Sequence, residues 1–329
     1  MLRALKILII TAIAISAAAF ASGVYYYTAS GPLAESTTVV FKRGIGFHGI
    51  VDELAEKNII RSPLLFKAIA VISGDARRFK AGEYAFEMAS APKDILDMIA
   101  NGRVVVRKIT VPEGFTASQV IALITAETAL DGPVPTTVEE GSLLPQTYHF
   151  MYGDTRAELT NRMQAGMRSE LNALWAKRAE GLPLDTPQQA LTLASIVEKE
   201  TGVPSERGRV AAVFINRLKK GMRLQSDPTV IYGIEKNRGK PLGRALLSGD
   251  LDDPSPYNTY QVVGLPPGPI ANPGRDALAA VLNPPQTNEL YFVATGDGGH
   301  NFAATLDEHN KNVKIYRARI AQKEKPEKM

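Results

Sequence analysis

The chain has 329 residues, 45% of them hydrophobic, and no cysteine, which excludes disulfides, thiol catalysis and cysteine metal sites. Its 38 Lys and Arg against 34 Asp and Glu leave a formal net charge of +4, which mildly favours anionic partners. No basic run interleaved with aromatics is present, and GxxxxGK[ST] and GxSxG are absent, so neither nucleic-acid binding, nucleotide binding nor serine-hydrolase chemistry is expected.

Residues 7–27 carry no charge, follow Arg3 and Lys6, and close on Tyr25, Tyr26 and Tyr27. That length spans a hydrocarbon core of about 30 Å, the cations predict a cytoplasmic N-terminus, and the tyrosines suit the outer interface. Ala19-Phe20-Ala21 also fits a signal-peptide cleavage site, a second reading that exports the protein equally well. After a polar linker over 28–36, TTVVF reads as a strand and FHGIVDELAEKNII as an amphipathic helix with Ile50, Val51, Leu54 and Ile59 inward. A helix near 62–73, the strand AGEYAFE and the helix PKDILDMIANG complete a small α+β unit over 37–103.

Residues 104–124 predict a strand, a turn at Pro112-Glu113-Gly114 and a helix, opening a larger mixed α+β domain that runs to 320. Glu140 lies in the following loop, where a solvated acid or a groove residue are both open readings. A helix over 155–178 has a core stripe of Leu159, Met163, Met167 and Leu171. The fold class is therefore α+β: an N-terminal apolar helix over 1–27, the small unit, the larger domain over 104–320 and a solvated tail over 321–329.

The richest segment is the next helix. Thr186 suits its N-cap, Pro187 its first turn and Gln189 a capping box, while Gly202 and Pro204 mark its end. At about 100° per residue, Ala190, Leu193, Ala194, Ile196 and Val197 form an apolar arc, with Thr192, Ser195 and Lys199 opposite. Glu200 projects inside that arc, whereas Glu198 lies at its edge, able to reach solvent or a surface cation. A carboxyl held among apolar groups takes a raised pKa and keeps its proton near neutrality, the state of a general acid. The competing reading is a structural glutamate paired with a buried Arg or a backbone amide. Further on, Asp227 reads either as a helix N-cap before Pro228 or as a second carboxylate. Tyr257, Asn258, Thr259 and Tyr260 offer polar and aromatic groups, against which stand core packing for the tyrosines and a turn role for Asn258. Residues 288–313 predict two strands joined by GDGG. Asp297, His300 and His309 there lack any metal-ligand spacing, and no metal is expected.

ASIVEKET, VFINRLKKGMRLQSDPTVIYG and YNTYQVVGLPPGPIANPG, in that order and spacing, resemble the endolytic murein transglycosylases, membrane-anchored enzymes that cut peptidoglycan glycan strands. The segment EEGSLLPQTYHF resembles the family's EG…PDTY, with Gln146 in place of the usual aspartate, which argues against an essential carboxylate there. The resemblance implies retention of the anchor, a LysM-like module over 37–103 and a catalytic domain after it. It makes Glu200 the catalytic residue, acting as acid and then as base while the muramic acid C6 hydroxyl closes a 1,6-anhydro ring. Gln225, Ser226, Asp227, Tyr257, Asn258, Thr259 and Tyr260 become candidate substrate-binding residues. It also implies no cofactor or metal, peptidoglycan strands as substrate, peptidoglycan synthases as partners, and an inner-membrane protein with its bulk in the periplasm. A water-using muramidase with Asp227 as second carboxylate, or a silent cell-wall-binding scaffold, are the alternatives.

Overall fold

In the computed structural model, which describes residues 2–323, the chain opens with the helix α1, Leu2–Thr28. Residues Arg3–Thr28 have a mean hydropathy of 2.3 in their most apolar window and bury none of it against the protein, so one helix among the described residues is long and apolar enough to cross a membrane. Of the tail expected at 321–329, residues 321–323 close the last helix and 324–329 lie outside the described residues.

The chain divides into two compact units. The first comprises residues 1–108, 128–131 and 149–155. Strand β1, Thr37–Phe41, pairs antiparallel with β2, Gly82–Phe86, in a register that sets Val39 opposite Tyr84. Between them run α2, Phe47–Glu56, and α3, Pro63–Ile72, and after them α4, Pro92–Ala100. Apolar residues at helical and alternating spacing meet in one core, where Phe41, Tyr84 and Phe86 pack against Ile50, Leu54, Phe66 and Ile95. Contrary to the expectation that no GxGxxG is present, GIGFHG at residues 44–49 has the glycine spacing of a dinucleotide fingerprint and runs from the turn after β1 into the first turn of α2. Because β2 returns antiparallel, there is no parallel βαβ crossover to give it that meaning.

The second unit comprises residues 109–127, 132–148 and 156–329. The division falls inside β3, Val106–Thr110, and β4, Thr147–Met151, which pair as a two-stranded sheet. Helix α5, Ala117–Ala126, starts with a complete capping box between Thr116 and Gln119. The unit is then built on α6, Arg156–Trp175; α7, Pro187–Glu200; α8, Arg207–Lys219; α9, Asp227–Arg238; and α10, Arg275–Leu282. An antiparallel hairpin, β5 Tyr291–Ala294 with β6 His300–Ala303, and α11, Leu306–Lys323, complete it. Helix α7 is its centre, touching α6, α8, α9 and α10. That enclosure explains one departure from the helical-wheel expectation: Thr192 and Ser195, placed on the polar side, are buried. Their hydroxyls are satisfied inside the helix, Thr192 donating to the Gln188 carbonyl and Ser195 to that of Thr192, while Ser195 also accepts from the Ile270 amide.

Candidate active site

Helix α7 begins where the sequence places it. Thr186 Oγ1 accepts from the Gln189 amide at 3.2 Å, and Pro187 fills the first turn. The Gln189 side chain reaches one residue further back than a capping box requires, accepting from the Asp185 amide. The helix stops at Glu200 because Thr201 turns extended (φ −138°, ψ 127°) and its hydroxyl accepts from the Val203 amide. Glu200 thus stands half-buried on the last turn of a helix packed by four others, within hydrogen-bond reach of Ser226 at the start of α9.

The two glutamates of the EKET segment differ in their partners. Glu198 Oε2 accepts from the Gly274 amide at 2.9 Å, and its Oε1 lies 3.7 Å from the guanidinium of Arg207, which also approaches Glu113 and Asp276. It is salt-bridged as expected, yet its side chain is only 7% exposed, so it is a packed cross-link between α7, α8 and the start of α10. Glu200 has no cation within ion-pair distance among the described residues. One contact supports it: the Ser226 hydroxyl donates to Oε1. Burial pushes the Glu200 carboxyl up to about 7, and the nearby charge of Asp227 adds to that rise, while the Ser226 hydrogen bond and the more distant Arg217 oppose it.

Ser226 is aimed by strain and by a buried hydroxyl cluster. Gln225 adopts φ +51°, a left-handed conformation that costs a non-glycine residue free energy, and its amide donates to the Thr259 carbonyl. The Ser226 amide donates to Thr259 Oγ1 at 2.9 Å, and Thr229 Oγ1 contacts Thr259 Oγ1 at 2.8 Å and donates to the Ser226 carbonyl at 2.6 Å. Asp227 is not the N-cap of α9: Ser226 holds that position, and with its side chain turned to Glu200 it makes no capping bond. Asp227 sits in the first turn, exposed, accepting from the Tyr260 hydroxyl at 2.6 Å. Burial, with the charge and hydrogen bond of Asp227, raises the Tyr260 phenol and keeps it protonated.

Of the sequence candidates, Ser226, Asp227, Thr259 and Tyr260 therefore gather around Glu200, with Gln225 contributing its backbone and an exposed side chain. Asn258 does different work: fully buried, it donates to the carbonyls of Leu251 and Asp253 and accepts from the Tyr260 amide, which fixes the loop carrying Thr259 and Tyr260. Tyr257 belongs to a second place. Its hydroxyl accepts from Lys236 at 3.0 Å and its ring meets Tyr232 edge-on, beside a cleft of about 610 Å³ lined by Glu140, Tyr232, Lys236 and the start of α5. Glu140, also raised by burial, accepts there from the Ala117 amide at 2.8 Å and from the Tyr232 hydroxyl at 3.4 Å.

Two contributors escaped the sequence reading. Thr229 is the hub of the hydroxyl cluster but reads as an ordinary helix residue. Arg217 is buried on α8, giving its hydrogen bonds to the carbonyls of Leu290 and Leu224, so that it lends Glu200 positive potential without forming an ion pair. A neutral carboxyl with one oxygen accepting a hydroxyl and the other making no hydrogen bond among the described residues is able to deliver a proton to a leaving oxygen and then recover one.

A sequence profile of the YceG-like family matches residues 39–315. The chain is 32% identical over 304 residues to a Bacillus subtilis protein named endolytic murein transglycosylase, covering 83% of this chain and 82% of that protein. It is 29% identical over 321 residues to a Streptococcus pneumoniae protein of the same name, covering 84% of this chain and 57% of the relative's length. The crystal structure of a yceG-like protein from Listeria monocytogenes superposes with a TM-score of 0.52 at 30% identity, covering 84% of this chain and 98% of that one.

Proposed function

The chain belongs to the YceG-like family, and from that premise we propose that it is an endolytic peptidoglycan lytic transglycosylase, cutting the MurNAc-β-1,4-GlcNAc bond within nascent glycan strands. The observation that carries the reading is Glu200: a carboxyl raised to about 7 by burial, hydrogen-bonded on Oε1 by Ser226, with Oε2 open. Protonated on Oε2, Glu200 gives its proton to the glycosidic oxygen as the bond from MurNAc C1 breaks, releasing a GlcNAc 4-hydroxyl. The carboxylate so formed takes the proton of the MurNAc C6 hydroxyl, whose oxygen closes on C1 to give the 1,6-anhydro sugar. No water is consumed, and Glu200 ends as it began. The positive charge that develops at C1 lies near Asp227, which with Tyr260 and Gln225 borders the site and orients the sugar. Asn258 and Thr259 act by holding that border in place.

The exposed Asp227 carboxylate, close enough to raise Glu200, also suits a hydrolytic muramidase in which it positions water. Mass spectrometry of glycan strands after incubation with the protein separates the two: anhydro ends carry the transglycosylase reading, reducing ends transfer the role to hydrolysis. Glycan binding without new ends leaves a scaffold.

Helix α1 is read as a retained single-pass inner-membrane anchor with the N-terminus cytoplasmic and the bulk of the chain periplasmic. Residues 37–103 are read as a LysM-like glycan-binding module, supported by two helices enclosed between antiparallel β1 and β2, and residues 104–320 as the catalytic domain. Peptidoglycan synthases are the expected partners.

A further inference from the structure

Helix α3 has an apolar surface that the core does not use. Its sequence, PLLFKAIAVI, carries one charge. Phe66 and Ala70 face inward, and a surface helix of this kind normally turns polar residues outward. Here Leu64, Leu65, Ala68, Val71 and Ile72 recur at i, i+1, i+4, i+7 and i+8, form a single stripe, and are all exposed, Leu64 by 77% and Ile72 by 86%. Lys67 lies off the stripe, drawn to Asp52 on α2 at 2.6 Å. A contiguous apolar stripe of this size on a soluble face marks a contact with something apolar.

Its position identifies the partner. The Tyr26 hydroxyl, near the end of α1, donates at 2.9 Å to the carbonyl of Ser62, the residue that caps α3 through its side chain. Tyrosines at the end of a spanning helix sit at headgroup depth, so α3 starts at that depth. Arg61, which makes no ion pair among the described residues, lines a small cavity there with Tyr25 and Tyr26, a cation beside the start of α3 suited to an anionic lipid phosphate. The segment joining α1 to β1 gives little freedom to swing away. Gly31 donates to the Ala89 carbonyl, Ala89 donates to that of Leu33, and Ser36 Oγ accepts from the Met88 amide. A Cβ on Gly31 would fall 2.3 Å from the Ser90 carbonyl oxygen, so this close approach requires glycine.

We propose that the stripe of α3 is seated in the bilayer leaflet at the C-terminal end of α1, docking the first unit flat on the membrane as an interfacial helix. The proposal rests on the reading of α1 as a membrane span. Because the chain has no cysteine, single-cysteine variants of the full protein report it cleanly. Ile13→Cys, Leu64→Cys, Ile72→Cys and Glu56→Cys are each labelled with a polarity-sensitive fluorophore and reconstituted into phosphatidylethanolamine–phosphatidylglycerol vesicles containing nitroxide lipids. Deep nitroxides are expected to quench the label at 13, shallow nitroxides those at 64 and 72, and aqueous iodide alone the one at 56. Adding Leu65→Glu and Val71→Glu, both at exposed positions outside the core, is expected to release the label at 72 to iodide. Labels at 64 and 72 that respond to iodide like the one at 56 overturn the proposal. Labels shielded from both quenchers also overturn it, in favour of a second copy of the chain covering the stripe. An unquenched label at 13 removes the spanning reading, and the docking with it.

Discussion

At the N-terminal end of α9, Glu200 accepts one hydrogen bond, from Ser226, and its second oxygen makes none among the described residues; at the middle of the same helix, Glu140 accepts from the Ala117 amide on one oxygen and from Tyr232 on the other. Burial raises both carboxyl groups, and each stands near a tyrosine. The difference lies in satisfaction. Glu140 closes the start of α5 and ties it to α9, while the tyrosine near Glu200 bonds to Asp227 instead, leaving the proton of the acid without an acceptor among the described residues. A raised pKa alone thus fails to separate a scaffold carboxyl from a reactive one; the open lone pair does.

The largest test of that contrast is a pair of amide substitutions. Glu200→Gln is expected to lower turnover of glycan strands by about 10³-fold or more, because an amide cannot deliver the proton. Glu140→Gln retains a carbonyl to accept from Ala117 and is expected to change turnover less than about tenfold, leaving the position of the α5 cap as its main effect. Equal losses in the two variants, measured by mass spectrometry of strand ends, would erase the distinction.

The same carboxyl also shapes stability. Its folded value of about 7 stands above the ordinary 4.5, so the folded protein holds this proton more tightly than the unfolded chain. The stability this gives is fully present below pH 4.5 and is lost as pH rises to about 7, a difference of roughly 3 kcal/mol. Glu200→Gln does not ionise, so its stability advantage over the parent should be absent at pH 4, grow through that window and level off above it. Urea unfolding of the detergent-solubilised chain at pH 4 and pH 8 measures it, and a constant difference would contradict the raised value. Thr229→Val, which leaves the Ser226 carbonyl and Thr259 without their shared partner, is expected to cost about 1–3 kcal/mol at either pH.

Much of the molecule is legible where short-range rules act alone. Alternation in TTVVF and YAF, the Thr186-Pro187 start of α7 and the apolar stripe of α6 all follow from local periodicity and capping, and the structure has each of them. Helical phase sets Glu200 apart from Glu198, but it leaves Glu198 facing solvent, whereas the Gly274 amide and the buried Arg207, neither of them on α7, enclose it. What escapes local rules depends on partners remote in sequence. The left-handed Gln225 turns Ser226 away from its helix and onto Glu200, so Asp227 never becomes the cap that its place before proline suggests. Thr192 and Ser195 look outward on a wheel but are enclosed because four helices surround α7. Tyr257 and Tyr260 are three residues apart and reach opposite ends of α9, which no spacing rule separates.

The subtlest expectation concerns Ser226, whose hydrogen bond opposes the rise of the Glu200 pKa. Removing that hydroxyl by Ser226→Ala takes away the only side-chain donor to the acid among the described residues, leaving burial and the charge of Asp227 to push the value further up. Since proton donation requires the neutral acid, the rate in the parent should fall as pH rises through about 7, and in Ser226→Ala that alkaline limb should move to higher pH. The plateau rate should drop by only about tenfold, because the proton remains available and what is lost is the orientation of Oε2. The two effects are separable in one experiment, a pH–rate profile of strand cleavage for both proteins. A lowered plateau with an unmoved limb would make Ser226 a steric support; a limb displaced upward makes it the residue that sets the acidity of Glu200, a distinction that Glu140, with every oxygen satisfied, has no counterpart for.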